Sequence, residues 1–242
     1  MRNWQGKTYW IVGASEGLGR ALAEVMARAG VSLVLSARNA DRLEALAASL
    51  PGSHRVVPVD VSDPASVRAA AEKAGPIDGL VWLAAVYWPM SATDWDAARV
   101  EAMFDINLTG AARVFGAVVP EMVRRNSGHI VITGSLSGFR GLPGAIGYGA
   151  SKSGLMHLAE TMRVDLKRTG VEVQLVNPGF IRTRLTEKND FRMPFILDAA
   201  PAARRFFAQM NRRTFSANFP RGFAAMFRLS QFLPDWLYYR LF

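Results

Sequence analysis

Short apolar runs rich in β-branched and aromatic residues recur along the chain, and each is followed by a stretch whose apolar positions return at helical spacing. The first run, residues 8–12 (Thr-Tyr-Trp-Ile-Val), leads through a glycine turn into a helix expected over 21–29. Further strands are expected at 32–37, 54–59, 79–86, 128–133 and 171–176. Helices are expected at 40–50, from Ser62 or Asp63 through Ala74, and at 95–102, 104–125 and 147–168. Asn39 stands where it can cap the second of these helices. Strand alternating with helix points to an α/β fold built on one right-handed, doubly wound parallel sheet. No repeat, low-complexity segment or linker interrupts the pattern before residue 184. One position breaks its local rule: Asn107 falls inside a helix, where its side chain competes for backbone hydrogen bonds, so a kink or a polar task is expected there.

A chain of 242 residues suits one large α/β domain or at most two small ones, with an ample core. The absence of cysteine excludes disulfides, thiolate catalysis and cysteine-ligated metals, and no metal site is expected. The first strand starts too early to leave room for a signal peptide, and no run of about 18 apolar residues occurs, so a soluble or surface-bound cytoplasmic protein is expected. The net charge of +9 is unevenly placed: from Ile181 onward eleven basic residues face four acids, a surplus of seven. That asymmetry argues for a tail with its own partner or its own solubility problem and against a uniformly basic nucleic-acid surface; no groove-reading motif accompanies the charge.

Candidate chemistry gathers at the strand ends. Gly13, Gly17 and Gly19, with Ser15, Glu16 and Leu18 between them, form a G-x-x-x-G-x-G turn from strand to helix, which aims backbone N–H groups and a helix N-terminus at a phosphate. The second strand runs into Ala37-Arg38 and carries no acid there. An acid at this place holds a ribose 2′-hydroxyl whereas arginine suits a 2′-phosphate, so NADP is favoured over NAD. Asp60 closes the third strand, either against an adenine edge or as an ordinary loop acid. Ser135 lies in a small-residue turn at the end of the fifth strand, where ligands of open parallel sheets collect. Tyr148 and Lys152 share a helix face at i and i+4. A fixed ammonium beside a phenol of pKa about 10 can lower it by roughly two units, about 3 kcal/mol; a packed tyrosine beside a solvated lysine is the plain alternative.

Taken in order, Gly13, Gly17 and Gly19, Asp60-Val61, Asn107, Ser135, Tyr148-x-x-x-Lys152, and Pro178-Gly179 with Thr183 resemble the short-chain dehydrogenase/reductase family over residues 5–183. The separations of 28 from Asn107 to Ser135 and 13 from Ser135 to Tyr148 also resemble the family's. The resemblance implies a Rossmann-like domain in which Tyr148 is acid or base on the substrate oxygen, Ser135 holds the carbonyl, Lys152 tunes Tyr148 and binds the nicotinamide ribose, and Asn107 supports a water linking Lys152 to solvent. It implies cofactor contacts at Gly13, Ser15, Glu16, Gly17, Leu18, Gly19, Arg38, Asp60, Val61, Ala84, Ala85, Asn107, Tyr148, Lys152, Pro178, Gly179, Ile181 and Thr183. His54, His129 and His157 have no role in this scheme and are expected to be structural. The chain departs from the family at Trp82-Leu83-Ala84-Ala85, where Asn-Asn-Ala-Gly is usual, and at Glu16, where NADP-preferring members often carry a base. The usual closing strand is missing, with 213–219 as its substitute.

Residues 184–219 are expected to form a substrate flap, helical over 185–213, followed by that last strand. Met193, Phe195, Ile196, Leu197, Phe206 and Phe207 make the segment apolar, favouring a lipophilic or aromatic carbonyl substrate over a sugar or acid; core packing is the alternative use of the same residues. Residues 220–242 carry Phe223, Met226, Phe227, Leu229, Phe232, Leu233, Trp236, Leu237 and Leu241 at helical spacing among Arg221, Arg228 and Arg240. Such an amphipathic helix packs on its own domain, on a subunit of a homodimer or homotetramer, or on a membrane surface. The sequence is thus read as an NADP(H)-dependent oxidoreductase interconverting a carbonyl and an alcohol. The alternative is a catalytically idle NADP-binding protein acting through its basic tail.

Overall fold

The structure, a computed structural model, describes residues 2–241. In chain order it places β1 (Thr8–Val12), α1 (Gly17–Arg28), β2 (Ser32–Ser36), α2 (Ala40–Ser49), β3 (Arg55–Val56), α3 (Pro64–Ala74), β4 (Gly79–Trp82), α4 (Ala97–Phe104), α5 (Gly110–Arg124), β5 (Gly128–Thr133), α6 (Ile146–Asp165), β6 (Val171–Pro178), β7 (Ile181–Arg182), β8 (Leu197–Asp198), α7 (Ala199–Met210), β9 (Ser216–Phe219), α8 (Arg221–Ser230) and α9 (Asp235–Tyr238). Seven strands form one parallel sheet in the order β3-β2-β1-β4-β5-β6-β9. The order reverses between β1 and β4, and the crevice outside the strand ends at such a reversal is where an open sheet binds ligands.

Both faces of the sheet are covered, as its nearly continuous apolar strands require. On one side α3, α5 and α6 bury Val67, Ala70, Val114, Phe115, Leu155 and Met156 against Trp10, Trp82 and Ile132. On the other, α1, α2 and α7 bury Leu22, Met26, Leu43, Leu46, Phe206 and Met210 against Ile11, Leu35 and Val176. The run 97–124 is long and apolar enough by composition alone to cross a bilayer, but its α5 portion turns Val114, Phe115, Val118 and Met122 into this core.

Several boundaries differ from those expected, each for a local reason. β3 is counted only over Arg55–Val56, although Val57 and Val59 still donate to Leu35 and Ala37; Pro58 between them turns its N–H-less side to the free edge of the sheet, where no partner is needed. β4 ends at Trp82, and the chain then leaves the sheet toward Asn107. The two helices expected across 95–125 are one continuous run from Ala97 whose π-helical turn, Asp105–Thr109, contains Asn107, so the awkward residue marks both a register change and a polar contact. Asn39 and Asp63 cap their helices through the amides of Arg42 and Ala65, at 2.8 Å each.

The segment expected to be a helical flap divides in two. Its only α-helix, α7, is core: Ala202, Ala203, Phe206 and Met210 are buried on the α1 side of the sheet, and Phe207 meets Trp4 at 4.9 Å. What remains over the cleft is irregular chain between the paired β7 and β8. The last strand is present, shorter than expected, and pairs Leu175–Pro178 with Ser216–Phe219 in parallel. The terminal amphipathic segment breaks at Pro234 into α8 and α9 and packs one side on its own domain. Arg140 holds it there, donating to the Leu233 carbonyl at 2.7 Å, pairing with Asp235 at 2.6 Å and lying 3.8 Å over the Tyr238 ring.

Candidate active site

A cleft of about 900 Å³ runs along the carboxyl ends of the strands. It is lined at one end by the glycine turn with Arg38, Asp60 and Val61, and at the other by Ser135, Tyr148 and Lys152. Every other site residue expected from sequence, namely Ser15, Glu16, Leu18, Ala84, Ala85, Pro178, Gly179, Ile181 and Thr183, also lines it; Asn107 alone does not.

The turn is built to stay bare. Gly13 and Gly17 take φ +100 and +53, which side-chain-bearing residues avoid, and a Cβ on Gly13 would lie 2.5 Å from the Ala84 nitrogen. Helix α1 follows with Glu16 at its N-cap position, yet the carboxylate makes no capping bond. It turns outward to Arg42 at 2.9 Å and Arg184 at 2.7 Å. The first amides of α1 are therefore left without a side-chain cap beside an open cleft, an arrangement that fits the pyrophosphate of a dinucleotide. Farther along, Arg38 and Arg42 line the same end of the cleft, a setting that fits an anionic group. Asp60 lines the cleft and also accepts from the Ser62 hydroxyl and amide at 2.6 and 2.9 Å, bonds that hold its carboxyl below the usual range.

At the other end, α6 carries Tyr148 and Lys152 on one face, and β5 delivers Ser135 just past its last residue. Lys152 is 2 % exposed, and its Nζ donates to the Thr133 carbonyl at 2.9 Å while lying 5.7 Å from the centre of the Tyr148 ring. Burial pushes the ammonium down to about 8. Burial likewise pushes the Tyr148 phenol up to about 12; the Ser135 hydroxyl pulls it down, and Tyr87, edge-on at 4.9 Å, raises it. The expectation that Lys152 lowers the phenol thus fails for the free protein. Burial disfavours the charged form of both groups, and it outweighs any help the amine gives the phenolate.

Asn107 is fully buried behind the cleft wall. Its Oδ1 accepts from the Val86 amide at 2.7 Å, and its Nδ2 donates to the Val86 carbonyl at 3.0 Å and to Ser151 Oγ at 3.1 Å. Ser151 in turn donates to the Tyr148 carbonyl at 2.9 Å. With both amide hydrogens taken, the side chain braces the chain that follows β4, at Val86, against the start of α6, and so places Tyr148. Replacement of both strand-four amides leaves a mark too, because the indole N–H of Trp82 is buried without a partner.

Sequence reasoning missed the latch over the substrate end. Tyr87 donates to Asn189 at 2.9 Å, and Lys188 donates to the Tyr87 carbonyl at 2.7 Å while covering the Trp88 ring at 4.6 Å. Nothing in the spacing of these residues joins them; the loop conformation does. Arg42 was more accessible, one turn beyond the Asn39 cap. Of the expected apolar flap residues, none lines the cleft; Val86, Trp88 and Leu185 supply its apolar wall. Two of the histidines make structural contacts. His129 is buried between the Tyr9 hydroxyl at 2.8 Å and Gln174 at 2.9 Å, His54 accepts from the Leu33 amide at 3.1 Å, and His157 is exposed.

Comparison with known proteins agrees with this geometry. Residues 7–192 match the model of a family described as short chain dehydrogenase. An uncharacterized oxidoreductase of Myxococcus xanthus is 37 % identical over 239 residues, covering 96 % of this chain and 94 % of the relative. Oxidoreductase UcpA of Salmonella typhimurium is 38 % identical over 190 residues, covering 75 % and 72 %. Among solved structures, a short chain dehydrogenase/reductase from Burkholderia phymatum in complex with NAD superposes with TM-score 0.87 at 27 % identity, covering 95 % and 94 %. A short-chain dehydrogenase from Sphingobium yanoikuyae in complex with NADPH gives 0.84 at 28 %, covering 92 % and 91 %.

Proposed function

The chain belongs to the short-chain dehydrogenase family and is an oxidoreductase, and from that premise we propose that it interconverts a lipophilic ketone or aldehyde and its alcohol with NADP(H), using Tyr148 as the general acid and base. The observation that carries the reading is the convergence of Tyr148, Ser135 and Lys152 on one end of a cleft whose other end bears Arg38 beside a bare glycine turn.

In this reading the α1 amides receive the pyrophosphate, Arg38 and Arg42 receive the 2′-phosphate, Asp60-Val61 borders the adenine, and Lys152 with Pro178-Gly179 and Thr183 borders the nicotinamide half. The bound cofactor supplies or accepts the hydride. Everything else falls to the chain. Ser135 and Tyr148 donate to the substrate oxygen, two donors in place before charge develops there. The Tyr148 phenol is protonated at neutral pH and so holds the proton that a carbonyl oxygen takes up in reduction; burial raises its pKa in the free protein and works against that transfer, while the Ser135 hydroxyl lowers it. Asn107, through Ser151, fixes the turn from which Tyr148 projects. Val86, Trp88 and Leu185 exclude water and favour an apolar substituent. No observation favours the idle alternative.

The test is NADPH oxidation with a panel of ketones and aldehydes, repeated with Tyr148→Phe. Loss of turnover with retained NADPH binding is the expected result, and equal rates for both proteins overturn the mechanism.

A further inference from the structure

The outer side of the two C-terminal helices is apolar with a basic rim. Within α8 the inward positions are Phe223, Ala224 and Phe227; Phe223 meets Phe180 at 6.0 Å and Phe227 at 4.9 Å. On the opposite side Met226 and Leu229 are 64 % and 65 % exposed, and beyond them Phe232, Trp236, Tyr239 and Leu241 are 84 %, 70 %, 69 % and 64 % exposed. Phe195, 65 % exposed at the tip of the segment over the cleft, adjoins this surface through Phe223 at 5.5 Å. So many large apolar groups bared together mark an interaction surface. The helices are held to the domain by Arg140, so the surface is a fixed one.

Its charge identifies the occupant. Arg221 and Arg228, seven residues apart, lie on one side of α8 beside the apolar stripe. Arg221 also lines, with Arg205 and Arg212, a separate cavity of about 430 Å³, and none of the three has an ion-pair partner among the described residues. From Ala199 onward seven arginines accompany one acid, Asp235, which is already paired with Arg140. A second copy related by a two-fold axis would bring the same surface to both sides of the contact, and this surface offers the arginines no acid but Asp235, already paired. An anionic lipid surface meets both the charge and the apolar stripe.

We propose that α8 and α9, with Phe195, dock this protein on an anionic bilayer, the apolar side chains entering the headgroup region and Arg205, Arg212, Arg221 and Arg228 meeting lipid phosphates. This goes beyond the cofactor and substrate reading, and its test does not depend on turnover.

The full chain is sedimented with vesicles of phosphatidylcholine alone and of phosphatidylcholine mixed with phosphatidylglycerol, at low and high salt. Co-sedimentation with the anionic vesicles only, weakened by salt, is expected. Arg221→Glu with Arg228→Glu should weaken it at least about tenfold, since each basic residue near an anionic surface contributes roughly fivefold. Leu229→Asp with Trp236→Asp should abolish it, with thermal midpoints unchanged. A readout on the unsubstituted chain needs no variant: brominated lipid in anionic vesicles should quench tryptophan fluorescence. No binding of the unsubstituted chain to anionic vesicles, binding indifferent to lipid charge, or no quenching overturns the proposal. A drop in oligomer mass for Leu229→Asp with Trp236→Asp, without vesicle binding by the unsubstituted chain, assigns the face to a second copy and overturns it as well.

Discussion

Glu16 in the glycine turn meets Arg184 at 2.7 Å, and its other oxygen meets Arg42 at 2.9 Å, so one carboxylate ties α2 to the chain that lies over the cleft. Each partner is about half exposed or more. Exposed pairs of this kind contribute about 0–1 kcal/mol to stability. Their effect on ligand charge is the larger matter, because Glu16 neutralises two guanidiniums at the arginine-lined end. Glu16→Gln should leave the unfolding midpoint nearly unchanged while lowering the KM for NADPH roughly two- to fivefold relative to NADH, as expected for about 0.5–1 kcal/mol of released attraction. Steady-state kinetics with both cofactors check it.

Arg38 is the complementary case. A hydrogen bond between charged groups contributes roughly 1.5–3 kcal/mol, so Arg38→Asp should cut the ratio of kcat/KM for NADPH over NADH by about ten- to a hundredfold. An unchanged ratio removes the NADP preference.

Lys152 sets a stability slope in alkali. Its native value of about 8 lies below the ordinary 10.5, so between those values the unfolded chain holds a proton that the native chain has released, and stability rises with pH across that window. Lys152→Met should flatten the rise, hold the midpoint at neutral pH or increase it, and abolish turnover. Thermal melts across the window report the first effects, and NADPH oxidation the last.

His129 sets a slope of the same sign in acid. Burial keeps it neutral down to about 3 against an ordinary 6.5, so the unfolded chain binds a proton that the native one refuses, and stability falls as pH drops below 6.5. Melting temperature should decline between about pH 6.5 and about pH 5, above the carboxylate range. His129→Gln should reduce that decline.

Asn107→Ala leaves the Val86 amide and carbonyl without their partner. The expected cost is about 2–4 kcal/mol by denaturant titration, with a fall in kcat as Tyr148 loses its brace. Asn107→Asp, which keeps the shape but loses the two donors, separates bracing from bulk.

Much of this was readable in advance because it depends on local rules. Gly13, Gly17 and Gly19 satisfy a turn that other residues cannot, Asn39 caps its helix, and the strand that begins at Thr8 ends at Val12 as its β-branched run does. Tyr148 and Lys152 were placed by helical spacing alone. Their electrostatics were not, since spacing reports neither the burial of both groups nor the Thr133 carbonyl that claims the amine. The same limit hid the fate of Phe206: an apolar residue in an unmatched segment reads alike whether it faces a ligand or the side of α1. The Tyr87–Asn189 contact spans 102 positions along the chain, and only the fold brings the two together.

The pairing of β7 with β8, reinforced by Arg182 and Asp198 at 3.0 Å, closes a neck below the chain that overhangs the cleft. The chain between Thr183 and Ile196 is thereby a loop gathered at one joint and followed at once by α7, whose inner side lies in the core. Through Leu185 and Lys188 that loop supplies part of the cleft wall from outside the sheet, so the wall and the strand pairings rest on separate stretches of chain.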